Sequence, residues 1–376
     1  MMSRLIPARA ILVAALCVLL CSSIAANAYT PLDATQLKAV MPSTTRYVMS
    51  LAGDWERSID GNEWTVAKLP MSESYSGKIT YKRTLQIDPA LVGRYMWNLY
   101  FLGLSDAVEL TVNNQYVGRS FGGMVPFMVR IPDKYIKAGK NDIQLEISPA
   151  SDEAVRMRKL DLFGQRSYTG VVREILLVGT PQAMVGDIRT SVKFTNGDAQ
   201  VNIISNIVTG ALDRLSSAAD SSGRAIELTT SQLSIDAELR FDETGTVVAT
   251  GSQSLAVARD RSTDANFSFR VTNPALWSPL SPQLYTLTIS IKANGITIDE
   301  MNAQIGMVSV QDGNLSSQSL LSMNGSPLFV KAVDYVEDAP GGGATITADG
   351  LERDVQLMKT LGVNAIRTRF FAPHPY

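Results

Sequence analysis

Leu361-Gly362-Val363-Asn364-Ala365-Ile366-Arg367 is the stretch that decides how the last part of this chain folds. Its glycine suits a helix C-cap, and residues 363–367 form a short apolar strand. Upstream, residues 329–333 form another apolar run, and Asp349 with Glu352 three residues later indicates a helix start through a weak capping box. The helix between carries apolar residues at helical spacing: Leu351, Val355 and Met358. The pattern therefore predicts a strand, a helix and a second strand.

One β-α-β unit cannot cover both faces of its own parallel strands. We therefore expect residues 311–376 to be the opening of a barrel whose remainder is missing from this chain. A complete barrel takes about 250 residues, most of which would follow the second strand.

The region from about residue 29 to residue 180 has an all-β pattern. Apolar and polar residues alternate along two stretches, which is typical of strands with one buried face. Their apolar members are Val108, Leu110 and Val112, and Ile143, Leu145 and Ile147. Asn113-Asn114 suits a hairpin turn between strands. Many short strands separated by turns predict a sandwich or jelly roll, to which we assign residues 29–184.

A second β-rich region follows, which we assign to residues 185–310. Leu287, Ile289 and Ile291 alternate with polar residues, and Asn294-Gly295 is a strong hairpin signal. This pattern predicts an immunoglobulin-like sandwich. Residues 209–232 are rich in Ser, Ala and Thr, which predicts a long loop or a short exposed helix.

Residues 1–28 have the pattern of a secretory signal peptide. Arg4 and Arg9 precede an apolar run over residues 11–20, and Ala26-Asn27-Ala28 is a cleavage sequence, predicted to be cut after Ala28. The run is short for a membrane span, which takes about 20 residues, although a retained anchor is the alternative. We expect a secreted or periplasmic chain with no membrane contact after cleavage. Both cysteines lie within the leader, so thiolate chemistry is excluded from the mature chain.

Charge and histidine content exclude other classes of function. A net charge of −2 gives no basic surface for nucleic acid. His374 is the only histidine, which argues against a catalytic triad or a histidine metal site and favours a loop histidine. Residues 341–343 are three glycines without the Gly-Lys-Ser/Thr of a phosphate loop, so they indicate a flexible connection. We expect no cofactor and no metal.

Beyond these patterns, the chain resembles glycoside hydrolase family 2, which includes β-galactosidases, β-glucuronidases and β-mannosidases. The segments of the first domain that carry the resemblance are Leu51-Ala52-Gly53-Asp54-Trp55, Tyr81-Lys82-Arg83, residues 112–118, 122–127 and 139–141, and Thr169-Gly170-Val171-Val172-Arg173-Glu174. In the second and third regions they are residues 273–279, 282–285, 324–328, 354–359 and 361–367. The resemblance implies a jelly-roll sugar-binding domain, an immunoglobulin-like module and the start of the catalytic (β/α)8 barrel.

The resemblance also implies a reaction, the retaining hydrolysis of a β-linked glycoside. Retaining glycosidases use two carboxylates about 5–5.5 Å apart. In this family both are glutamates placed late in the barrel, so no catalytic residue maps onto this chain, and we expect it to be inactive alone. The partner implied is a carbohydrate substrate. The alternative is a non-catalytic carbohydrate-binding protein that uses its jelly roll, although a binding module has no use for a partial barrel.

Candidate substrate-binding residues lie after the two barrel strands, since functional residues in such barrels sit at the C-terminal ends of strands. Asp334 and Glu337 follow the first strand, and we expect them to bind sugar hydroxyls or to be solvated rather than to form a catalytic pair. Arg367 closes the second strand, where it would bind sugar or pair with a barrel acid. The family's Ser-His-Tyr-Pro run is absent after Arg367, and Phe370 takes the place of its histidine. This departure argues against the best-known β-galactosidase subgroup. The four tryptophans, Trp55, Trp64, Trp97 and Trp277, could stack on sugars, but core packing is the expectation for each.

Overall fold

The computed structural model describes residues 29–73, 77–149, 168–210, 232–256, 258, 261–312, 321–369 and 372–376. The predicted leader, most of the predicted loop at 209–232, and Phe370 lie outside the described residues. Strands predominate, and the chain ends in a β-α-β unit. The prediction of a mainly β fold is confirmed.

The first unit is a β-sandwich preceded by helix α1 (Ala34–Val40). Its strands are β1 (Tyr47–Ser50), β2 (Gly53–Ile59), β3 (Thr65–Leu69), β4 (Ile79–Ile87), β5 (Met96–Phe101), β6 (Ala107–Val112), β7 (Gln115–Phe121), β8 (Phe127–Arg130), β9 (Gly139–Ser148) and β10 (Ile175–Thr180). Four strands form one sheet in the order β1-β10-β5-β8, and six form the other in the order β3-β2-β4-β9-β6-β7. We call this unit the first sandwich.

The core of the first sandwich lies between its two sheets. Leu99 and Leu177 from the four-stranded sheet meet Tyr81 and Leu145 from the six-stranded sheet in one buried cluster. The alternating residues predicted to face inward, those of β6 and β9, are all buried. Asn113 and Asn114 join β6 to β7 with positive φ angles, which asparagine tolerates better than most residues, so the predicted hairpin is confirmed.

The outer face of the four-stranded sheet is also covered. Asp33 caps α1 by accepting hydrogen bonds from the Thr35 and Gln36 amides, and the Gln36 side chain completes a capping box. The helix buries Val40 in a cluster with Leu176 and Val178 of β10, which also includes Ala348 of the last helix. This face therefore joins the first sandwich to the end of the chain.

The second unit is another sandwich. Its strands are β11 (Ala183–Thr195), β12 (Asp198–Thr209), β13 (Gln232–Phe241), β14 (Thr246–Ala256), β15 (Ser262–Val271), β16 (Trp277–Ser278), β17 (Ser281–Pro282), β18 (Tyr285–Ala293) and β19 (Ile296–Ile305). Sheets β11-β12-β15 and β14-β13-β18-β19 enclose one core. Asn294 and Gly295 form the predicted turn between β18 and β19, and Leu287, Ile289 and Ile291 are fully buried as predicted.

A buried ion pair between Arg46 and Asp299 joins the two sandwiches. Arg46, just before β1, contacts Asp299 of β19 at 2.8 Å, and both side chains are shielded from solvent. Thr45 Oγ1 and the Val185 amide donate to the same carboxylate at 2.7 and 2.8 Å. With these donors the buried charge is fully paired, as burial requires.

The third segment comprises β20 (Val310–Asp312), β21 (Leu321–Met323), β22 (Ser326–Pro327), β23 (Ala332–Tyr335), α2 (Ala348–Thr360) and β24 (Ala365–Thr368). Strands β23 and β24 pair in parallel, as the predicted β-α-β unit requires. Asp349 was predicted to begin the helix, but this was wrong. Thr347 is the N-cap, its hydroxyl accepting from the Gly350 amide, and Asp349 lies in the first turn.

The tryptophans divide between core and surface. Trp55 and Trp97 are buried in the first sandwich, as predicted. Trp277 is half-buried, and its carbonyl accepts from the Asn324 side chain at 3.0 Å. Trp64 is 43% exposed, so the expectation of a core position was wrong. It precedes edge strand β3, where only one side of the chain is covered.

Candidate functional site

Asp334 and Arg367 are direct neighbours on the two parallel strands. The register places Asp334 of β23 opposite Arg367 of β24. The guanidinium binds the carboxylate with two hydrogen bonds, from Nε at 2.6 Å and from Nη2 at 2.7 Å. Parallel strands carry their C-terminal ends at one edge of a sheet, so two of the three predicted substrate-binding residues meet at this edge.

The pair has a defined charge state. Hydrogen bonds from Arg367 hold the pKa of the Asp334 carboxyl below its ordinary value, and the charges of Arg367 and Arg369 act in the same direction. The same contact raises the pKa of Arg367. Both groups are therefore charged at neutral pH, and Asp334 is a poor proton donor there. Its carboxylate is suited to fixing the arginine or accepting a hydrogen bond from a hydroxyl group.

Glu337, the third predicted residue, lies on the loop after β23 and faces the first sandwich. Its carboxylate binds Arg173 Nη2 at 2.9 Å through one oxygen and accepts from the His374 amide at 2.6 Å through the other. Glu337 is thus engaged with groups other than the Asp334–Arg367 pair. It joins the loop after β23 to the residues that follow β24.

Arg173 is the residue on which this junction depends. It lies just before β10, with only 3% of its side chain exposed. Besides Glu337, it donates to the carbonyls of Leu102, Met124 and Ala372, at 3.2, 2.9 and 2.7 Å. Burial lowers the pKa of Arg173, and the charge of Glu337 opposes that shift. Gly103 makes room for it, since a Cβ there would lie 2.5 Å from Arg173 Cδ.

His374 lies in irregular chain, where a loop histidine was expected, but it is buried. Its Nε2 lies 3.3 Å from Glu174 Oε2, and both side chains are almost fully shielded from solvent. The Tyr29 hydroxyl donates to the other oxygen of Glu174. Residues from the start, the middle and the end of the described chain therefore meet around Glu174.

The three glycines at 341–343, predicted to be a flexible connection, lie in a hydrogen-bonded turn. The Ala339 amide donates to the Gly343 carbonyl at 2.8 Å, and the Gly343 amide donates to the Ala339 carbonyl at 3.0 Å. Gly343 lies against Tyr168 of the first sandwich, where an added Cβ would come within 2.5 Å of the ring. Nearby, the Ser72 and Thr345 hydroxyls are 3.0 Å apart. The loop after β23 is thus held against the sandwich at several points.

Sequence reasoning gave no role to Arg173 or Glu174, although both fall in a quoted segment. A signal was present, since two opposite charges interrupt an otherwise apolar run over residues 171–178. Charges in such a run are buried with it and need partners. The partners lie 164 and 200 residues away, so the sequence offered no means of naming them.

The described residues contain no group of three or more His, Cys, Asp or Glu side chains placed to hold a metal ion. None of the helices in the described part of the chain is long and apolar enough to cross a membrane. The site is one edge of a parallel strand pair that carries a charged, hydrogen-bonding Asp–Arg unit. Chemically, this Asp–Arg unit can orient a polar ligand.

Three models of one protein family match successive parts of the chain. The model described as the sugar binding domain of glycosyl hydrolases family 2 matches residues 50–181, and the model described simply as glycosyl hydrolases family 2 matches residues 187–307. The family's TIM barrel domain matches residues 315–376. The chain belongs to glycosyl hydrolases family 2.

Individual relatives agree with this assignment. A β-galactosidase of Kluyveromyces lactis is 23% identical over 92% of this chain and 34% of its own length. A β-galactosidase of Priestia megaterium is 26% identical over 72% of this chain and 24% of its own length. The crystal structure of Bacteroides uniformis β-glucuronidase shares the fold, with a TM-score of 0.72 at 17% identity over 86% of this chain and 39% of that one. The chain thus spans between a quarter and about a third of the length of these curated relatives.

Proposed function

We propose that this chain is the amino-terminal part of a secreted or periplasmic glycosidase that hydrolyses β-linked glycosides with retention of configuration. The observation that carries the proposal is the Asp334–Arg367 pair at the C-terminal ends of β23 and β24. Polar side chains at that edge of a barrel are where substrate is bound. The family and the printed activities of the relatives, β-galactosidase and β-glucuronidase, support a β-glycoside as the substrate class.

In this proposal the residues present bind and orient sugar, and the chemistry belongs to later strands of the barrel. Retention requires a proton donor and a nucleophilic carboxylate about 5–5.5 Å apart. Asp334 is held ionised by Arg367, which makes it unsuitable as the donor. Glu337 is bound by Arg173 and the His374 amide. We therefore assign both carboxylates of the predicted site to fixing the positions of residues around the sugar cleft. The chain alone is expected to be inactive.

Arg367 is assigned to the sugar cleft through its remaining donors. Its side chain is 71% exposed, and Asp334 fixes one edge of the guanidinium. Arginine has five N–H donors in a rigid fork, so donors remain for a sugar hydroxyl or carboxylate. A fixed guanidinium loses less freedom on binding than a mobile one.

The test compares two preparations from the same gene. One is the chain ending at Tyr376, and the other is extended by whatever coding sequence follows it. Both are assayed with nitrophenyl β-galactoside, β-glucuronide and β-mannoside, and the anomer first released is identified by proton NMR. We expect hydrolysis with retention by the extended protein only. Turnover by the shorter chain above a mock preparation would refute its assignment as an inactive part. An extended protein inactive on every β-glycoside, or one that inverts, would refute the glycosidase proposal.

A further inference from the structure

The outer face of the six-stranded sheet of the first sandwich carries one continuous row of side chains. Strand pairing sets Glu56 opposite Val66 and Lys82, Gln144 opposite Lys82 and Thr111, and Tyr116 opposite Thr111. The sheet-face row is therefore Val66, Glu56, Lys82, Gln144, Thr111 and Tyr116. Six strands spaced about 4.8 Å apart give it a length of about 24 Å.

A groove of about 510 Å³ follows the middle of this row. Its walls include Glu56, Lys82, Gln144 and Thr111 of the row, together with Asp54 and Asp142 beside it. The volume falls within the range of about 300–1,000 Å³ that is usual for small-molecule sites. The groove is on the far side of the sheet from the core, whereas the loop after β23 contacts other parts of the first sandwich, at Arg173 and Ser72.

The polar groups of the row are available to a ligand. Among the described residues, none forms a hydrogen bond or ion pair with the side chains of Glu56, Gln144 or Thr111. Glutamate only accepts hydrogen bonds, lysine only donates, and glutamine and threonine do both. A sugar hydroxyl also donates and accepts, so a chain of sugars could satisfy all four side chains in turn.

Two exposed aromatic side chains lie along the row, one beside Lys82 and one at its end. Trp64 is 43% exposed and lies under the Lys82 ammonium, which is 4.3 Å from the ring centroid. Tyr116, the last member of the row, is 58% exposed. Aromatic side chains combine a large apolar surface with a polar tip, which suits them to ligands whose faces are apolar and whose edges are polar. Sugar rings have this character, with C–H groups on their faces and hydroxyls around their edges.

The charges of the groove favour an uncharged ligand. Asp54, Glu56 and Asp142 are balanced in part by Lys82 and by Arg83, which also line it. Because acidic and basic groups both line the groove, neither a polyanion nor a polycation meets a surface of one opposite sign. The row also lacks the contiguous apolar patch that marks a protein interface.

We propose that the sheet-face row is an accessory binding site for a neutral polysaccharide chain, separate from the catalytic cleft. It would hold the enzyme on a polymeric substrate while the barrel cleaves elsewhere. The proposal does not depend on the hydrolytic activity, because the groove is contained within the first sandwich. It can therefore fail or succeed independently of the glycosidase assay.

The test is electrophoresis of the purified chain in native gels that contain a mixed-linkage β-glucan, a xylan, a galactomannan or a β-1,4-galactan. We expect at least one polymer to retard the chain. Trp64→Ala and Tyr116→Ala should each raise the apparent Kd, and the double variant should raise it at least tenfold. Leu280→Ala, which removes a fully exposed side chain from the second sandwich, should leave Kd unchanged.

Hydrogen exchange of the unaltered chain gives a measurement that does not rely on variants. A hexasaccharide of the retarding polymer should slow exchange in β2, β4 and β9 and leave the second sandwich unchanged. No retardation by any of the four polymers would overturn the proposal. So would a double variant that binds as tightly as the unaltered chain, protection confined to the third segment, or a self-association that covers the groove and prevents retardation.

Discussion

Arg173 and Glu337, 164 residues apart, form a buried ion pair of 2.9 Å between the first sandwich and the loop after β23. The pair fixes where the first two barrel strands lie relative to the sugar-binding domain. Because the His374 amide binds the same carboxylate, the ends of both strands are held by one group. The position of the strand edge that carries Asp334 and Arg367 therefore depends on Arg173, a residue of the first sandwich.

Replacing Glu337 should loosen the third segment. Glu337→Ala leaves the buried Arg173 guanidinium without its counter-ion, and breaking such a pair costs about 3–5 kcal/mol. We expect faster amide exchange over residues 334–338 and 372–376. Asp312→Asn, an exposed acid of the same segment, is the control and should leave exchange unchanged. Equal exchange in both variants would show that the ion pair does not hold this segment.

The joint between the two sandwiches should be sensitive to Asp299. Asp299→Asn leaves the buried Arg46 charge unpaired, so we expect the free energy of unfolding to fall by about 3–5 kcal/mol. Urea denaturation followed by fluorescence measures this loss. The matched control is Asp187→Asn, which breaks an exposed pair with Arg189 at 3.2 Å and should cost less than about 1 kcal/mol. A loss of similar size in both variants would contradict the assignment.

The contact between β23 and β24 should weaken in acid. The folded-state pKa of Asp334 lies below its ordinary value, so its contribution to stability is full above the unfolded pKa of about 3.9. It is lost as the pH falls through the lower, folded-state pKa. NMR shifts of the Arg367 amide, followed from about pH 5 to about pH 2, should report this loss. Asp334→Asn should abolish the dependence, and an unchanged profile in that variant would assign it to another acid.

The third segment should be cut by protease before either sandwich, or should aggregate. Phe329 is 78% exposed, Leu361 72% and Ile366 44%, which leaves apolar strand and helix surface uncovered. Such surface promotes association and local opening. Limited proteolysis with mass spectrometry of the fragments should yield an early product that contains both sandwiches. Equal resistance across all three parts would contradict the expectation.

Arg367 should be intolerant of lysine in the extended protein. Lysine keeps the charge but loses the two parallel hydrogen bonds to Asp334, so the cation is no longer fixed. A misplacement of about 1 Å can cost about 100-fold in rate, and we expect a fall of that order in kcat/KM. Steady-state kinetics with a nitrophenyl β-glycoside would measure it. An unchanged kcat/KM would exclude Arg367 from the cleft.

Local patterns predicted much of the fold. Alternation in β6, β9 and β18 reports directly which side of a strand faces the core, and asparagine-containing turns report the hairpins. The β-α-β unit was visible because helical and strand periodicities differ. The helix start was misplaced by two residues, because Thr347 and Asp349 are both acceptable N-caps and only backbone geometry separates them.

The site was only partly visible in the sequence. Asp334 and Arg367 were found because strand ends mark functional positions in barrels. Their pairing depends on the register between β23 and β24, which cannot be derived from the sequence alone. Arg173, Glu174 and His374 were missed as a group because their contacts span up to 200 residues. Trp64 was misplaced for a local reason. It lies beside an edge strand, where the sequence alone does not distinguish a core position from a surface position.

The fit of Gly343 against Tyr168 has a consequence for the order of folding. A domain nearer the N-terminus generally folds first during synthesis. The Tyr168 ring is then already in place when residue 343 emerges, and the glycine turn closes on a finished surface. The first two barrel strands, β23 and β24, would thus dock onto a first sandwich that has already folded. A Cβ at position 343 would lie 2.5 Å from that ring. A side chain there would therefore obstruct docking of the turn during folding as well as destabilise the folded protein.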